Sequence, residues 1–216
     1  MKSRVIFTMV RDEKILLPVW EKYYRQFFKN VHIINHNLKH QGKTEYLKYR
    51  VKTISEYQKK LLQKFDWVVF VDVDEFLVPD PDKYSGLDDF INKAWGSYIY
   101  CTGREVLQEK DEKAIDWSKP ILTQRTYWWP HIACYKPAIS QVELEYPHGF
   151  HYAKRDLKDA RSRNRDFKGH IKSLANPDIY LIHLKQIDRD LVRTRARPKV
   201  NAEGKQLIPD KWKEAF

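Results

Sequence analysis

Trp67-Val68-Val69-Phe70-Val71-Asp72-Val73-Asp74-Glu75-Phe76-Leu77 is an almost unbroken apolar run that ends in three carboxylates. The run is too short to span a membrane, and its valines and phenylalanines favour a buried strand over a helix. Strands of this kind lie inside sheets covered on both faces, and open α/β sheets bind ligands just outside the carboxyl ends of their strands. Asp72 and Asp74 are two residues apart, so extended backbone sends both side chains to one face, with Val73 and Glu75 on the other. Two hard oxygen ligands on one face suit Mg2+ or Mn2+, which take one or two protein carboxylates and complete their shell with water and substrate phosphates. The plainer alternative is a strand ending in a polar turn, with Pro79, Asp80 and Pro81 following as loop.

Upstream, Arg4 to Val10 reads as a first strand, and Arg11-Asp12-Glu13 opens a helix with acids at its favourable end. Ile15/Leu16, Val19/Trp20, Tyr23/Tyr24 and Phe27/Phe28 recur every four residues, giving that helix one broad apolar stripe. Val31 to Ile34 is a second strand, closing in Asn35-His36-Asn37. Residues 43 to 50 are ambiguous, while Ile54 to Phe65 carries a helical period into the Asp72 strand. Strand, helix, strand, helix, strand at this pitch predicts a parallel sheet with right-handed crossovers. The glycine-rich turn of dinucleotide-binding sheets is absent, since Val10-Arg11-Asp12-Glu13 stands in its place. Downstream the pattern loosens. A helix is expected at Leu87 to Trp95, a strand at Tyr98 to Gly103, and a charged loop from Glu109 to Lys119. Strand-like pieces follow at Leu122 to Tyr127, Ala133 to Ile139 and Val142 to Tyr146. A good strand from Asp178 to Leu184 then holds His183, ahead of a basic helix from Asp188 to about Arg197. Trp128 and Trp129 offer flat apolar faces to a sugar ring, or equally a core contact.

The chain has 216 residues, enough for one domain with a sizeable core, and its 14% aromatic content marks it as globular. Two cysteines, Cys101 and Cys134, make neither a disulfide framework nor a zinc-motif spacing, so a reducing compartment is the default. The start lacks the apolar region of a signal peptide, and no later run is long enough to span a bilayer, so the expectation is a soluble, cytoplasmic protein. The ending has no obvious terminating character, which leaves open that this is one domain of a longer chain. Net charge is +11, and nine of those charges fall in residues 154 to 172 and 185 to 199. A positive field so concentrated attracts phosphates or an anionic membrane surface; the alternative is a solvated helix face.

Taken in order, Val10-Arg11-Asp12-Glu13 with its aromatic helix, Asn35-His36-Asn37, and Asp72-Val73-Asp74-Glu75-Phe76-Leu77 resemble the GT-A nucleotide-sugar glycosyltransferases of the family 2 and family 92 type, including related virus-encoded enzymes. The resemblance is clearest over residues 4 to 77. It implies a single GT-A domain over 1–216, with a Rossmann-like, mixed but mostly parallel sheet flanked by helices. Residues 1–100 would form the nucleotide-binding half and 101–216 the acceptor side. It further implies that Thr8, Val10, Arg11 and Glu13 receive the base and ribose, that Asn35 and Asn37 border the same pocket, and that Asp72 touches both nucleotide and metal. Asp72 and Asp74 would hold Mn2+ or Mg2+ bridging the diphosphate of a nucleotide-sugar donor, expected to be a UDP-sugar. His151 is the candidate third ligand and His183 the next choice, with Lys154 and Arg155 as candidate phosphate cations. Such enzymes are generally inverting and need a carboxylate base for the acceptor hydroxyl. Glu75 and Asp156 are the candidates, Glu75 preferred because cations around Asp156 would weaken it as a base. Trp128 and Trp129 are the candidate acceptor platform, for a glycan, glycoprotein or glycolipid.

Two rival readings use the same residues. A phosphatase of the haloacid dehalogenase type also ends a buried strand in Asp-x-Asp. That family places the motif near the N-terminus, with Thr or Val two residues after the second Asp, where this chain has Phe76. A nucleic-acid-binding module would use the basic stretches, but it leaves three acids without purpose and facing a phosphate backbone. No nucleic acid is therefore expected as a partner.

Overall fold

The computed structural model describes residues 2–36, 43–162, 166–189, 191, 206 and 207. Chain order is β1 (Arg4–Val10), α1 (Leu16–Tyr24), β2 (Asn30–Asn35), α2 (Lys43–Leu62), β3 (Trp67–Phe70), β4 (Glu75–Pro79), α3 (Leu87–Lys93), β5 (Tyr98–Leu107), β6 (Tyr127–Pro130), β7 (Lys136–Ser140), α4 (Lys154–Ser162), α5 (Phe167–Leu174), β8 (Ala175–Gln186) and β9 (Gln206–Leu207). Two short 3-10 turns, Leu122–Gln124 and Ile132–Cys134, precede β6 and β7. All nine strands join one mixed sheet, so the expected α/β class with helices flanking a central sheet is what the chain adopts.

The N-terminal part of that sheet is parallel. β1 lies between β2 and β3, with Ile6 opposite both Val31 and Val69. The chain therefore crosses from one side of β1 to the other between β2 and β3, and that reversal opens a crevice beyond the carboxyl ends of β1 and β3. β7 then adds antiparallel to β3, and β5, β6 and β9 continue outward. β8 runs parallel to β5 and antiparallel to β4.

Alternation along β1 and β3 divides the core between two faces, as a period of two demands. Ile6 and Val69 pack with Leu16, Trp20, Tyr23 and Tyr24 of α1, whereas Val5, Phe7, Val68 and Phe70 pack with Ile54 and Leu61 of α2. Each such fully buried side chain stabilises by about 1.5–3 kcal/mol. Glu13 begins α1 by accepting the backbone N–H groups of Ile15 and Leu16 at 3.1 and 3.0 Å, which supplies orphan donors with a carboxylate.

The Trp67–Leu77 run is not one strand. β3 stops at Phe70 and a turn reverses the chain into β4, with the Glu75 N–H donating to the Asp72 carbonyl at 3.0 Å and the Asp72 N–H to Glu75 Oε2 at 2.7 Å. Asp72 and Asp74 therefore occupy a turn, not one face of a pleated strand; a side chain three residues on outcompeted the ladder for the backbone donor. Helix α2 is longer than its expected span of residues 54 to 65, because Tyr46, Tyr49 and Arg50 continue the stripe as half-buried groups whose polar tips mask the period. Residues 142 to 146 form no strand, and the run from Ala133 splits into a turn and β7. Most of the expected basic helix from Asp188 lies outside the described residues.

Both cysteines are free and buried. No helix among the described residues is long and apolar enough to cross a membrane.

Candidate active-site cleft

A cleft of about 480 Å3 opens at the carboxyl ends of β1 and β3. Its walls come from Val10, Arg11 and Glu13 after β1, Asp72 to Glu75 after β3, Tyr46 and Arg50 on α2, and late residues including Cys134, His151, His183 and Lys185. Three bases, Arg11, Arg50 and Lys185, face four acids, Glu13, Asp72, Asp74 and Glu75, so carboxylates and cations are nearly matched in the lining.

Lys136 lies beneath these acids. It is fully buried at the start of β7, 2.6 Å from Glu75 Oε2 and 3.6 Å from Asp72 Oδ2, and sits over the ring of Phe70. Arg50 binds the other Asp72 oxygen at 2.5 Å. Burial opposes ionisation of Asp72, but Lys136 and Arg50 outweigh it and hold the carboxyl well below its ordinary value. Glu75 moves the other way: burial raises it against the pull of Lys136, and the neighbouring Asp72 charge adds to the rise.

His151 reaches the cleft through a strained turn. Gly149 has φ +91° and the bulky, buried Phe150 φ +62°, a conformation an L-residue adopts at a cost and that clusters at functional sites. A Cβ on Gly149 would stand 2.8 Å from the His151 ring. Burial, and then Lys136, lower the His151 pKa to about 4, so its imidazole is neutral at pH 7 and its buried Nδ1 has no hydrogen-bond partner. Because the native value lies below that of an unfolded histidine near 6.5, the unfolded state takes up the proton first as pH falls. Stability is full above about pH 6.5 and is lost on acidification toward pH 4. The His151→Asn variant is expected to flatten the melting-temperature profile in that window, and an unchanged profile would contradict this.

His183, on β8, looks two ways. Its Nε2 is 3.8 Å from Asp74 Oδ1, and its Nδ1 is 2.6 Å from Glu105 Oε2 and 3.5 Å from Cys134 Sγ. Burial disfavours the imidazolium, but Glu105 and Cys134 overcome this and raise its pKa well above the ordinary value. Beside it, Glu105, His131 and Cys134 place ligand atoms within 4.8 Å of one another, a group able to hold a metal ion.

Of the residues expected from sequence, Val10, Arg11, Glu13, Asp72, Asp74, Glu75, His151 and His183 line the cleft. Thr8 is fully buried within β1, and Asn35 is exposed at the end of β2. Asn37 lies outside the described residues. Asp156 is buried on α4, accepting hydrogen bonds from the hydroxyls of Tyr98 and Tyr100 at 2.7 and 2.6 Å. Arg155 stacks over the Tyr98 ring, and Lys154 is 3.8 Å from Glu145. Trp128 is buried and stacked on Tyr180, while the partly exposed Trp129 stacks on His131. None of these last five residues lines the cleft. Sequence reasoning missed Arg50, Lys136, Glu105 and Cys134. The one usable signal was a lone lysine in Tyr135-Lys136-Pro137-Ala138-Ile139, a stretch otherwise suited to a buried strand.

No protein-family model matches this chain, and no curated protein matches it. A solved structure described as a glycosyltransferase involved in the glycosylation of the major capsid of PBCV-1 is similar over 47% of this chain, at 15% identity and a TM-score of 0.33. The match spans half of that structure's chain.

Proposed function

We propose that this cleft binds a nucleoside-diphosphate sugar together with a divalent cation and transfers the sugar, with inversion, to a hydroxyl of a glycan, glycoprotein or glycolipid. The observation that carries the reading is the position of Asp72 and Asp74, at the topological switch of a parallel sheet and inside a cleft that gathers four carboxylates. A diphosphate is repelled by such a lining unless a cation enters with it. Mn2+ or Mg2+ fits that need, because it takes one or two carboxylates and fills its remaining positions with water and phosphate oxygens. The donor set is narrower than expected, because Asp72 is engaged by Arg50 and Lys136. Asp74 and the neutral His151 face the cleft, while Asp72 holds Arg50 in place through an ion pair. When bound, the cation stabilises the negative charge that builds on the departing diphosphate.

The protein's own groups supply the rest. Arg50, positioned by Asp72, and Lys185 line the cleft and are the proposed cations for that charge. Val10, Arg11 and Glu13, with Tyr46 across from them, form the side on which the nucleoside would rest, with a UDP-sugar the expected donor. Glu75 remains the proposed base, since burial raises its proton affinity. Asp156 leaves the proposal because two tyrosine hydroxyls occupy its oxygens away from the cleft. The whole chain is proposed to act as one such domain.

A thermal-shift panel of nucleoside diphosphates and nucleotide sugars, with and without Mn2+, tests this. A ligand at a hundred times its Kd stabilises the native state by about 2.7 kcal/mol. One base should therefore stand out, and only with the metal present. Magnesium-dependent hydrolysis of p-nitrophenyl phosphate without nucleotide-sugar binding would overturn the reading in favour of a phosphatase.

A further inference from the structure

We propose that Glu105, His131, Cys134 and His183 form a second metal site, for a zinc-class divalent ion, behind the wall of the cleft. The four side chains come from three elements: Glu105 from β5, His183 from the parallel strand β8, and His131 and Cys134 from the 3-10 turn before β7. That turn lies unusually close to β5. A Cβ at Gly103 would fall 2.6 Å from the Cys134 Cβ and 2.7 Å from the His131 carbonyl, so only glycine there lets the two ligands reach Glu105.

Glu105, His131 and Cys134 have spacings that suit three corners of a tetrahedron, and His183 lies beside Glu105 and Cys134. An ion bound at about 2.0–2.1 Å to nitrogen or oxygen and about 2.3 Å to sulfur sets its ligand atoms roughly 3.3–3.6 Å apart. Here His131 Nδ1 is 3.4 Å from Cys134 Sγ, His183 Nδ1 is 3.5 Å from the same sulfur, and Glu105 Oε2 is 3.7 Å from it. His131 Nδ1 and Glu105 Oε2 are 3.9 Å apart. Among these five pairs the one furthest from that range is Glu105 Oε2 to His183 Nδ1, whose 2.6 Å is a hydrogen bond through the Nδ1 proton. Ion binding expels that proton and the Cys134 thiol proton to solvent, and the pair opens by about 0.7 Å.

Charge and chemistry point the same way. Glu105 is 1% exposed and its Oε1 has no hydrogen-bond partner, an unmet demand in a buried carboxylate. With one carboxylate and one thiolate, a divalent ion makes the buried site neutral. A sulfur and two imidazole nitrogens select zinc or cobalt over magnesium, which prefers six oxygen ligands. Ligation through Nδ1 also leaves the His183 Nε2 proton directed at Asp74, so this ion would orient a carboxylate of the cleft.

Titration of the chelator-stripped full-length chain with Co2+ tests the site. The expected result is one ion per chain, with the intense visible bands of tetrahedral cobalt and a thiolate-to-cobalt charge-transfer absorption. Cys134→Ser should abolish the charge-transfer absorption and weaken Co2+ by more than about tenfold, and His131→Ala should weaken it similarly. Asp74→Ala should keep both spectral features. Six-coordinate cobalt without thiolate absorption in the wild-type protein would overturn the proposal, as would a Cys134→Ser spectrum identical to wild type. The wild-type spectrum decides even where a variant fails to fold, and none of these outcomes depends on glycosyl transfer.

Discussion

Replacing Lys136 with methionine is expected to destabilise the protein by about 3–5 kcal/mol, because it leaves the buried Glu75 carboxylate without its cation and Asp72 with Arg50 alone. Lys136 is 2.6 Å from Glu75 and 3.6 Å from Asp72, and its ammonium lies over the Phe70 ring. Methionine fills much of the same volume, so the loss reports charge and not a cavity. The pairing also makes a sharper demand. The double variant Lys136→Met with Glu75→Gln should recover part of the lost stability, since one of the stranded charges is gone with it. Urea unfolding of the four members of that cycle measures the coupling directly. A Lys136→Met protein as stable as wild type would show that these acids are not held charged by the lysine.

Asp74→Ala should reduce sugar transfer by about a thousandfold or more, the consequence of removing several kcal/mol of metal-borne stabilisation from the transition state. The fold should survive. Asp74 is on a turn at the cleft surface, and its backbone carbonyl still accepts the Leu184 N–H at 2.8 Å whatever the side chain. Loss of the Mn2+-dependent thermal shift with an unchanged melting temperature in the absence of ligand is therefore the expected pair of results. Retained metal-dependent nucleotide binding would remove Asp74 from the cation site. Asp72→Ala serves as a contrast. Its ion pairs with Arg50 and Lys136 predict a fall in stability as well as in binding.

The parallel part of the sheet was legible because its signals are local: a short apolar run in β1, a four-residue stripe in α1, and an apolar run entering β3. That the acids at the end of that run lie at a cleft was legible for the same reason. Their geometry was not, because the Asp72–Glu75 turn depends on hydrogen bonds between a side chain and the backbone that leave no periodic trace. What lies around them was hidden for a different reason. Arg50 arrives from a helix whose tyrosines blur its stripe, and Lys136 from a strand 61 residues beyond Glu75. Conversely, the basic stretch after residue 154 reads as phosphate-binding, yet Lys154 and Arg155 lie on α4 beside Glu145 and Tyr98. Clustering in sequence put the charge on α4 and α5 without saying which way those helices would face.

The strand that delivers Lys136 is also the one that covers β3, with Val69 opposite Ile139. A ribosome has therefore released the first three parallel strands well before their outer neighbour exists. During that interval β3 offers an unprotected edge, and the two acids beside it lack their buried lysine. Residues 1–100 made alone should be insoluble or require a chaperone, and pulse-labelled nascent chains should gain protease resistance only after about residue 140 has cleared the exit tunnel.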